Sequence, residues 1–517
     1  MAKNKIISNI IIFILLFISL ALILSYSWIK DFFGDYVDYN EIIFNITAGF
    51  DAVGGAPPRI FRSFLFNVIF KSLVFSGLII LVFSSIRKYR AKIILFLKDL
   101  NLSKFFEFKY QLVLVVIFLI SSLTYFLVKF QFYELVYTTD KNKVFFETNY
   151  VSAKDLNLNK PKKLKNLIVI FYESAEKDFP NFALSTDENG SVVEYQDKED
   201  VHSEIRNIEG YEIDNFVQAQ SLGWSMAGMV AAQCSVPFFS NTRAAKDKNF
   251  LPNKLICLGD ILKQYGYRQS FFTSGEREFH NMDRFYLNHG YNDVFGKTDY
   301  LLKGIDKKYF GTWDKGLHDD ILLEQVYKKI LENQNKQNPF SITLLTTDTH
   351  DPYIFMSPNC ENANKYSKDF EEHYYLKLRD SFKCSGKIIA NFLNKLESDG
   401  ILQNTLVVIT GDHLAPSTSA LKPYLGITDD DDPLKNRRIF FKVINSEFKP
   451  NRSLMSHYDI GPTILHDLNI LDLNQDKFGL GVSLYSKIEP QDYFKEYIEI
   501  IKSNNLAQIF YKKIKFD

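Results

Sequence analysis

The sequence predicts a membrane-anchored α/β protein, with apolar helices first and then a domain built on a mainly parallel sheet covered on both faces. Three observations predict it. Three long apolar runs nearly free of charge stand within the first 130 residues. Beyond residue 165, short runs of β-branched and aromatic residues alternate with helical patterns. Acidic and imidazole side chains recur immediately after several of those runs. Composition limits the function classes further. Lys+Arg and Asp+Glu are balanced at 61 each, so there is no basic surplus to displace counterions from nucleic acid. Hydrophobic residues at 46% and charged residues at 24% exclude wholesale disorder, and four Cys in 517 residues cannot make a disulfide-dense scaffold.

The first apolar run, 6–28, carries no charge and would span about 35 Å as a helix. The second, 63–85, contains only Lys71, near enough to one end to snorkel. The third, 111–128, is shorter but sufficient. Lys3 and Lys5 give the first run the basic start of a signal peptide, but its apolar stretch is too long and no small-x-small cleavage site follows. A retained helix is the reading. The loop between the second and third runs carries Arg87, Lys88, Arg90, Lys92, Lys98, Lys104 and Lys109, against Lys30, Arg59 and Arg62 in the preceding loop. The positive-inside rule then puts the N-terminus and the second loop in the cytoplasm and everything after about residue 130 outside. Cys234, Cys257, Cys360 and Cys384 all lie in that outer portion. Their spacings suit two local disulfides, Cys234–Cys257 and Cys360–Cys384, among three connectivities, with four buried thiols as the alternative.

A basic, Asn-rich connector at 157–166 precedes the first expected strand, 167–171. Further strands are expected at 269–273, 342–346, 406–410 and 439–444, and helices at 258–265, 320–333 and 385–397. In open α/β sheets chemistry sits beyond the carboxyl ends of strands. Glu173 follows the first strand, Thr347-Asp348-Thr349-His350-Asp351-Pro352 the third, and Gly411-Asp412-His413-Leu414 the fourth. One such residue is ordinarily a cap or a turn, but recurrence at three strand ends points to a shared rim. Carboxylates with an imidazole suit a divalent cation. In the segment Gln220-Ser221-Leu222-Gly223-Trp224-Ser225-Met226-Ala227-Gly228-Met229-Val230, Ser225 falls at or just before a helix N-terminus, which favours anions such as phosphate. Alone it reads as an N-cap; beside a metal its hydroxyl becomes a nucleophile.

The residues around Glu173, the run from Gly223 through Ser225 to Cys234, Ile256-Cys257-Leu258-Gly259-Asp260 and Gly411-Asp412-His413 together resemble the membrane-bound phosphoglycerol transferases. That group includes the lipoteichoic acid synthases and the enzymes that decorate periplasmic glucans, within the alkaline phosphatase/sulfatase superfamily. The resemblance covers roughly residues 165 to 470. The segment Ser456-His457-Tyr458-Asp459-Ile460-Gly461-Pro462-Thr463 also resembles a superfamily motif and reads as a strand-to-helix junction near the site.

The resemblance implies an α/β/α sandwich and one divalent cation (Mn, Mg or Zn) held by Glu173, Asp412, His413 and the nucleophile oxygen. The nucleophile in these transferases is usually Thr; the matching residue here is Ser225, which keeps the hydroxyl but loses the methyl that restricts its rotamer. His350 matches the position that contacts the substrate phosphate or leaving group, and Trp313 and His318 match the region lining the head-group pocket. The expected division is a membrane domain over 1–130, a connector over 131–165 and an extracytoplasmic catalytic domain over 166–517. The expected activity moves phosphoglycerol from phosphatidylglycerol to an extracytoplasmic glycan or polymer through a covalent Ser225 intermediate, at the bacterial cytoplasmic (inner) membrane. Alternatives are phosphoethanolamine transfer from phosphatidylethanolamine to lipopolysaccharide or another surface glycan, a hydrolytic phosphodiesterase, and an inactive membrane-anchored binding protein. A sulfatase is disfavoured, because no Cys-x-Pro-x-Arg or Ser-x-Pro-x-Arg run is present.

Overall fold

The computed structural model describes residues 2–35, 37–47, 58–89, 108–135, 140–178, 184–186, 192–194, 200–238, 255–311, 316–334, 336, 338–350, 354, 356–361, 363, 374–416, 422 and 437–487. It divides into two compact units. One comprises Met1–Gly34 with Ala56–Val136, and the other Asp35–Gly55 with Tyr137–Asp517.

Helix formation in the first unit follows from unbroken apolar sequence, since a backbone in lipid must satisfy its own hydrogen bonds. α1 (Ala2–Phe33) is followed in the chain by the short α2 (Tyr39–Thr47), which clusters with the second unit. α3 (Lys71–Lys88), extended at its start by one π-helical stretch (Leu65–Phe70), and α4 (Phe108–Lys129) complete the set. The windows Ile6–Phe33, Phe61–Lys88 and Phe108–Lys129 are long and apolar enough to cross a membrane. Ile12, Leu16 and Val115 pack together inside this unit, while large apolar side chains such as Ile6, Phe66, Leu81 and Ile120 remain exposed, as lipid-facing residues must.

In the second unit, runs of Leu, Ile, Val and Phe become the strands of a seven-stranded sheet. In chain order these are β1 (Asn166–Tyr172), β2 (Tyr211–Glu212), β3 (Arg268–Thr273), β4 (Asp293–Phe295), β5 (Phe340–Leu345), β6 (Thr405–Gly411) and β7 (Phe441–Ile444). Across the sheet they run β2–β7–β6–β1–β5–β3–β4. The five strands from β6 to β4 are parallel, and β7 turns antiparallel against β6. The apolar run at 439–444 pairs with β6 only from Phe441, because Ile439 instead bridges Glu176. The short edge strands β2 and β4 were not legible in the sequence; two or three residues carry too little pattern to register.

Burial on both faces explains why the strands look uniformly apolar. Leu167, Val169 and Phe171 enter one core, and Ile168, Ile170 and Tyr172 the other. The first core is closed by α5 (Ser225–Cys234), α6 (Leu258–Gln264) and α9 (Ile460–Asp467), and the second by α7 (Asp319–Gln334) and α8 (Tyr374–Ser398). The result is the expected α/β/α arrangement. Both cysteine pairs form as the spacing suggested. Cys234, the last residue of α5, joins Cys257 with Cα atoms 4.2 Å apart, and Cys360 joins Cys384 of α8 at 6.0 Å.

Candidate active site

β6, β1 and β5 are neighbours in the sheet, so the residues following their carboxyl ends share one rim. Glu173 follows β1, Asp412 and His413 follow β6, and the Thr347–His350 turn follows β5. Ser225 opens α5, preceded by Trp224 in extended conformation. Gly228 allows the approach of this helix: a Cβ there would lie 2.0 Å from the Asp412 carbonyl oxygen.

Ser225 Oγ lies 3.5 Å from Glu173 Oε2 and 3.4 Å from His413 Nε2. His413 Nε2 is 3.5 Å from Glu173 Oε1 and 3.4 Å from Asp412 Oδ2. These gaps exceed the ~2.7–3.2 Å of good hydrogen bonds. Around a tetrahedral cation with bonds of ~2.0–2.1 Å, donors sit roughly 1.63 bond lengths apart, ~3.3–3.4 Å. The spacing therefore matches donors that share an ion.

The surrounding hydrogen bonds leave the right atoms open. Asp412 Oδ1 accepts the backbone N–H groups of Ser174 at 2.8 Å and His413 at 3.0 Å. Asp412 Oδ2 is buried and has no hydrogen-bond donor among the described residues. An orphaned carboxylate oxygen is costly unless something positive meets it. His413 Nδ1 donates to the Leu414 carbonyl at 2.8 Å, a partner that can only accept, so in the neutral ring Nε2 carries the lone pair. Leu414 is in turn anchored by Gln218, whose Oε1 accepts its N–H at 2.6 Å. Glu173 is oriented by the Ser174 hydroxyl, which donates to Oε1 at 2.8 Å, and by Thr349, whose hydroxyl donates to the Glu173 carbonyl at 2.7 Å. Glu173, Asp412 and His413 are all buried and can hold a metal ion.

The remaining sequence candidates fall as follows. His350 is exposed at the end of the turn that Thr349 ties to Glu173, its own N–H donating to the Thr347 carbonyl. His318 is buried and its Nδ1 meets Asp348 Oδ1 at 2.9 Å, so it supports that turn from behind. Its partner carboxylates raise the His318 pKa against the opposing effect of burial, while burial and the Asp348 charge push Asp319 up to about 8. Trp313 lies outside the described residues. The segment 456–463 is the anticipated strand-to-helix junction, and His457 Nε2 meets the Gly411 carbonyl at 3.0 Å beside Asp412.

Sequence reasoning missed Asp38 and Glu41. Ser221 Oγ donates to Asp38 Oδ2 at 2.5 Å, and Glu41 stands three residues on in α2. Burial first, then the Asp38 charge, push the Glu41 carboxyl up to about 8, with His413 opposing. An Asp ahead of a short amphipathic stretch is a helix-start signal that could have marked this segment.

The sheet, its two helical covers and the acid–imidazole rim define a class. A model of the sulfatase family matches residues 165–470, more than half of the chain, and the protein belongs to that family, within the alkaline phosphatase/sulfatase superfamily. More particularly, it is 32% identical over 360 residues to phosphoglycerol transferase I of Escherichia fergusonii, which covers 67% of this chain and 42% of that protein. The chain thus spans less than half the length of the curated relatives it matches. Among solved structures, it is similar to an alkaline phosphatase superfamily protein from Vibrio parahaemolyticus, at 18% identity and a TM-score of 0.50, covering 69% of this chain and 80% of that one. It is also similar to the lipoteichoic acid synthase LtaP from Listeria monocytogenes, at 17% identity and 0.51, covering 70% and 96%. At these identities the solved structures speak for the fold.

Proposed function

We propose that the protein is a metal-dependent transferase that moves a phosphoglycerol group from phosphatidylglycerol to an extracytoplasmic glycan or polymer. The observation that carries the reading is Ser225 Oγ at the opening of α5, 3.4–3.5 Å from Glu173 and His413, beside the orphaned Oδ2 of Asp412. Relatedness to phosphoglycerol transferase I supports the choice of head group.

Glu173, Asp412, His413 and Ser225 Oγ would hold one divalent cation, Mn, Mg or Zn. When bound, the ion lowers the pKa of the serine hydroxyl and offsets charge on the phosphoryl oxygens. Ser225 Oγ gives up its proton to solvent water and forms a bond to phosphorus, while the bond from phosphorus to the diacylglycerol oxygen breaks. The departing alkoxide takes a proton from His350, which then accepts the proton of an incoming acceptor hydroxyl as Ser225 leaves. The first turn of α5 turns its N–H groups and positive dipole end toward the transferred phosphate. The charge bias of the loops supports a location of the second unit outside the cytoplasm, where lipid donor and glycan acceptor would meet, with the long apolar helices as anchor.

Diacylglycerol release from vesicles tests the donor. The wild-type chain is expected to release it from phosphatidylglycerol and not from phosphatidylethanolamine. Release from phosphatidylethanolamine alone would move the assignment to phosphoethanolamine transfer.

A further inference from the structure

Outside the rim just described, the described residues hold one segment that reaches it from the other half of the sequence. α2 sits between the first two apolar windows in the chain, yet it clusters with the second unit and meets the turn leading into α5. Asp38 caps the helix, its Oδ1 accepting the N–H groups of Asn40 at 2.9 Å and Glu41 at 3.2 Å. Its other oxygen accepts the Ser221 hydroxyl. Ser221 holds a left-handed backbone, φ 64°, where a non-glycine residue is strained and needs outside support. One turn further along α2, Phe44 is buried against Trp224, ring centroids 5.0 Å apart, and against Phe238 at 5.6 Å. Ahead of the helix, Asp35 pairs with Lys422 at 2.9 Å. Ser221 and Trp224 bracket the turn whose next residue is Ser225. The helix grips that turn at both ends.

We infer that α2 is a positioning element of the catalytic site, in which Asp38 and Phe44 fix the Ser221–Trp224 turn and thereby the placement of Ser225 Oγ. The inference rests on the transferase reading for its kinetic consequence, though not for its structural one. The physical argument is one of tolerance: misplacing a reacting atom by about 1 Å costs on the order of 100-fold in rate. A strained serine bonded to a carboxylate from a distant segment is a natural place to lose that precision. The segment that supplies the carboxylate is also the segment that joins two apolar helices, so the anchor half of the sequence contributes to the reaction as well as to location.

The test uses the full chain in detergent micelles. Amide hydrogen exchange over residues 218–225 needs no substrate, and Asp38→Asn is expected to speed it by about tenfold or more with β5 and β6 unaffected. On phosphatidylglycerol, Asp38→Asn and Ser221→Ala should each lower kcat about tenfold or more with KM held within about twofold. The double variant should be no worse than the poorer single one, since a single hydrogen bond joins the pair. Phe44→Leu should recover most of what Phe44→Ala loses. A helix that merely packs would cost thermal stability and leave kcat per folded molecule untouched. Unchanged exchange at 218–225, or wild-type kcat in Asp38→Asn, overturns the inference. Should the wild type ignore phosphatidylglycerol yet cleave bis-para-nitrophenyl phosphate, the donor assignment fails by itself. The same variants compared on that diester then support or overturn the role of α2.

Discussion

Glu173, Asp412 and His413 form one tight group of acid and imidazole on this domain, and Cys257, Asp260 and His289 form another. The two differ in which lone pairs are already spent. In the second group the Cys257 sulfur is bonded to Cys234, and Asp260 Oδ2 accepts both the Cys257 N–H at 2.9 Å and His289 Nδ1 at 2.7 Å. That cluster closes the start of α6 and leaves little for a cation. In the first group the hydrogen bonds fall on the far sides of the ligands, on Asp412 Oδ1 and His413 Nδ1, and leave Oδ2 and Nε2 turned toward each other. Residue types alone do not distinguish a metal centre from a structural knot. The disposition of their remaining lone pairs does.

The largest expected effect separates the two groups. Asp412→Asn or His413→Ala should empty the metal site and lower turnover by about 100-fold or more, since each removes a ligand. Asp260→Asn should leave both at wild-type levels. Metal content per protein, measured by mass spectrometry alongside diacylglycerol release, reads this directly. Metal lost from the Asp260→Asn variant would erase the contrast. Next in size is Gly228→Ala, whose new methyl would sit 2.0 Å from the Asp412 carbonyl. Displacing α5 should cost about 1–3 kcal/mol of stability and roughly 10- to 100-fold in turnover, with the metal retained. Thermal unfolding and rate assays on that variant measure the two parts separately. A wild-type rate would mean that α5 can shift without moving Ser225.

Much of the first group was legible in the sequence because the fold makes it local. β1 and β6 are continuous buried runs, and Glu173, Asp412 and His413 come directly after them, so finding the strand finds the acid and imidazole groups of the rim. Ser225 was legible for a similar reason, as a small polar residue where a glycine-bearing turn meets a helix. The parts that were not legible are those set by contacts across the chain. Asp38 and Ser221 are 183 residues apart, and no periodicity in either segment announces the bond. Likewise His318, matched to a pocket-lining position, turned out buried against Asp348, a pairing that only the approach of α7 to the β5 rim creates. The antiparallel direction of β7 was hidden too, since a buried run reads the same in either direction.

The contrast between an open and a closed cluster matters only if the open one does chemistry on Ser225. Peptide mass measurement of the wild-type chain, quenched during turnover on phosphatidylglycerol, tests that point most directly. A phosphoglycerol adduct on the peptide containing Ser225, absent in Ser225→Ala and present on the new hydroxyl in Ser225→Thr, is the expected result. Diacylglycerol release at the wild-type rate by Ser225→Ala, with no adduct on the wild-type peptide, would contradict it and leave Ser225 as the first residue of a helix and nothing more.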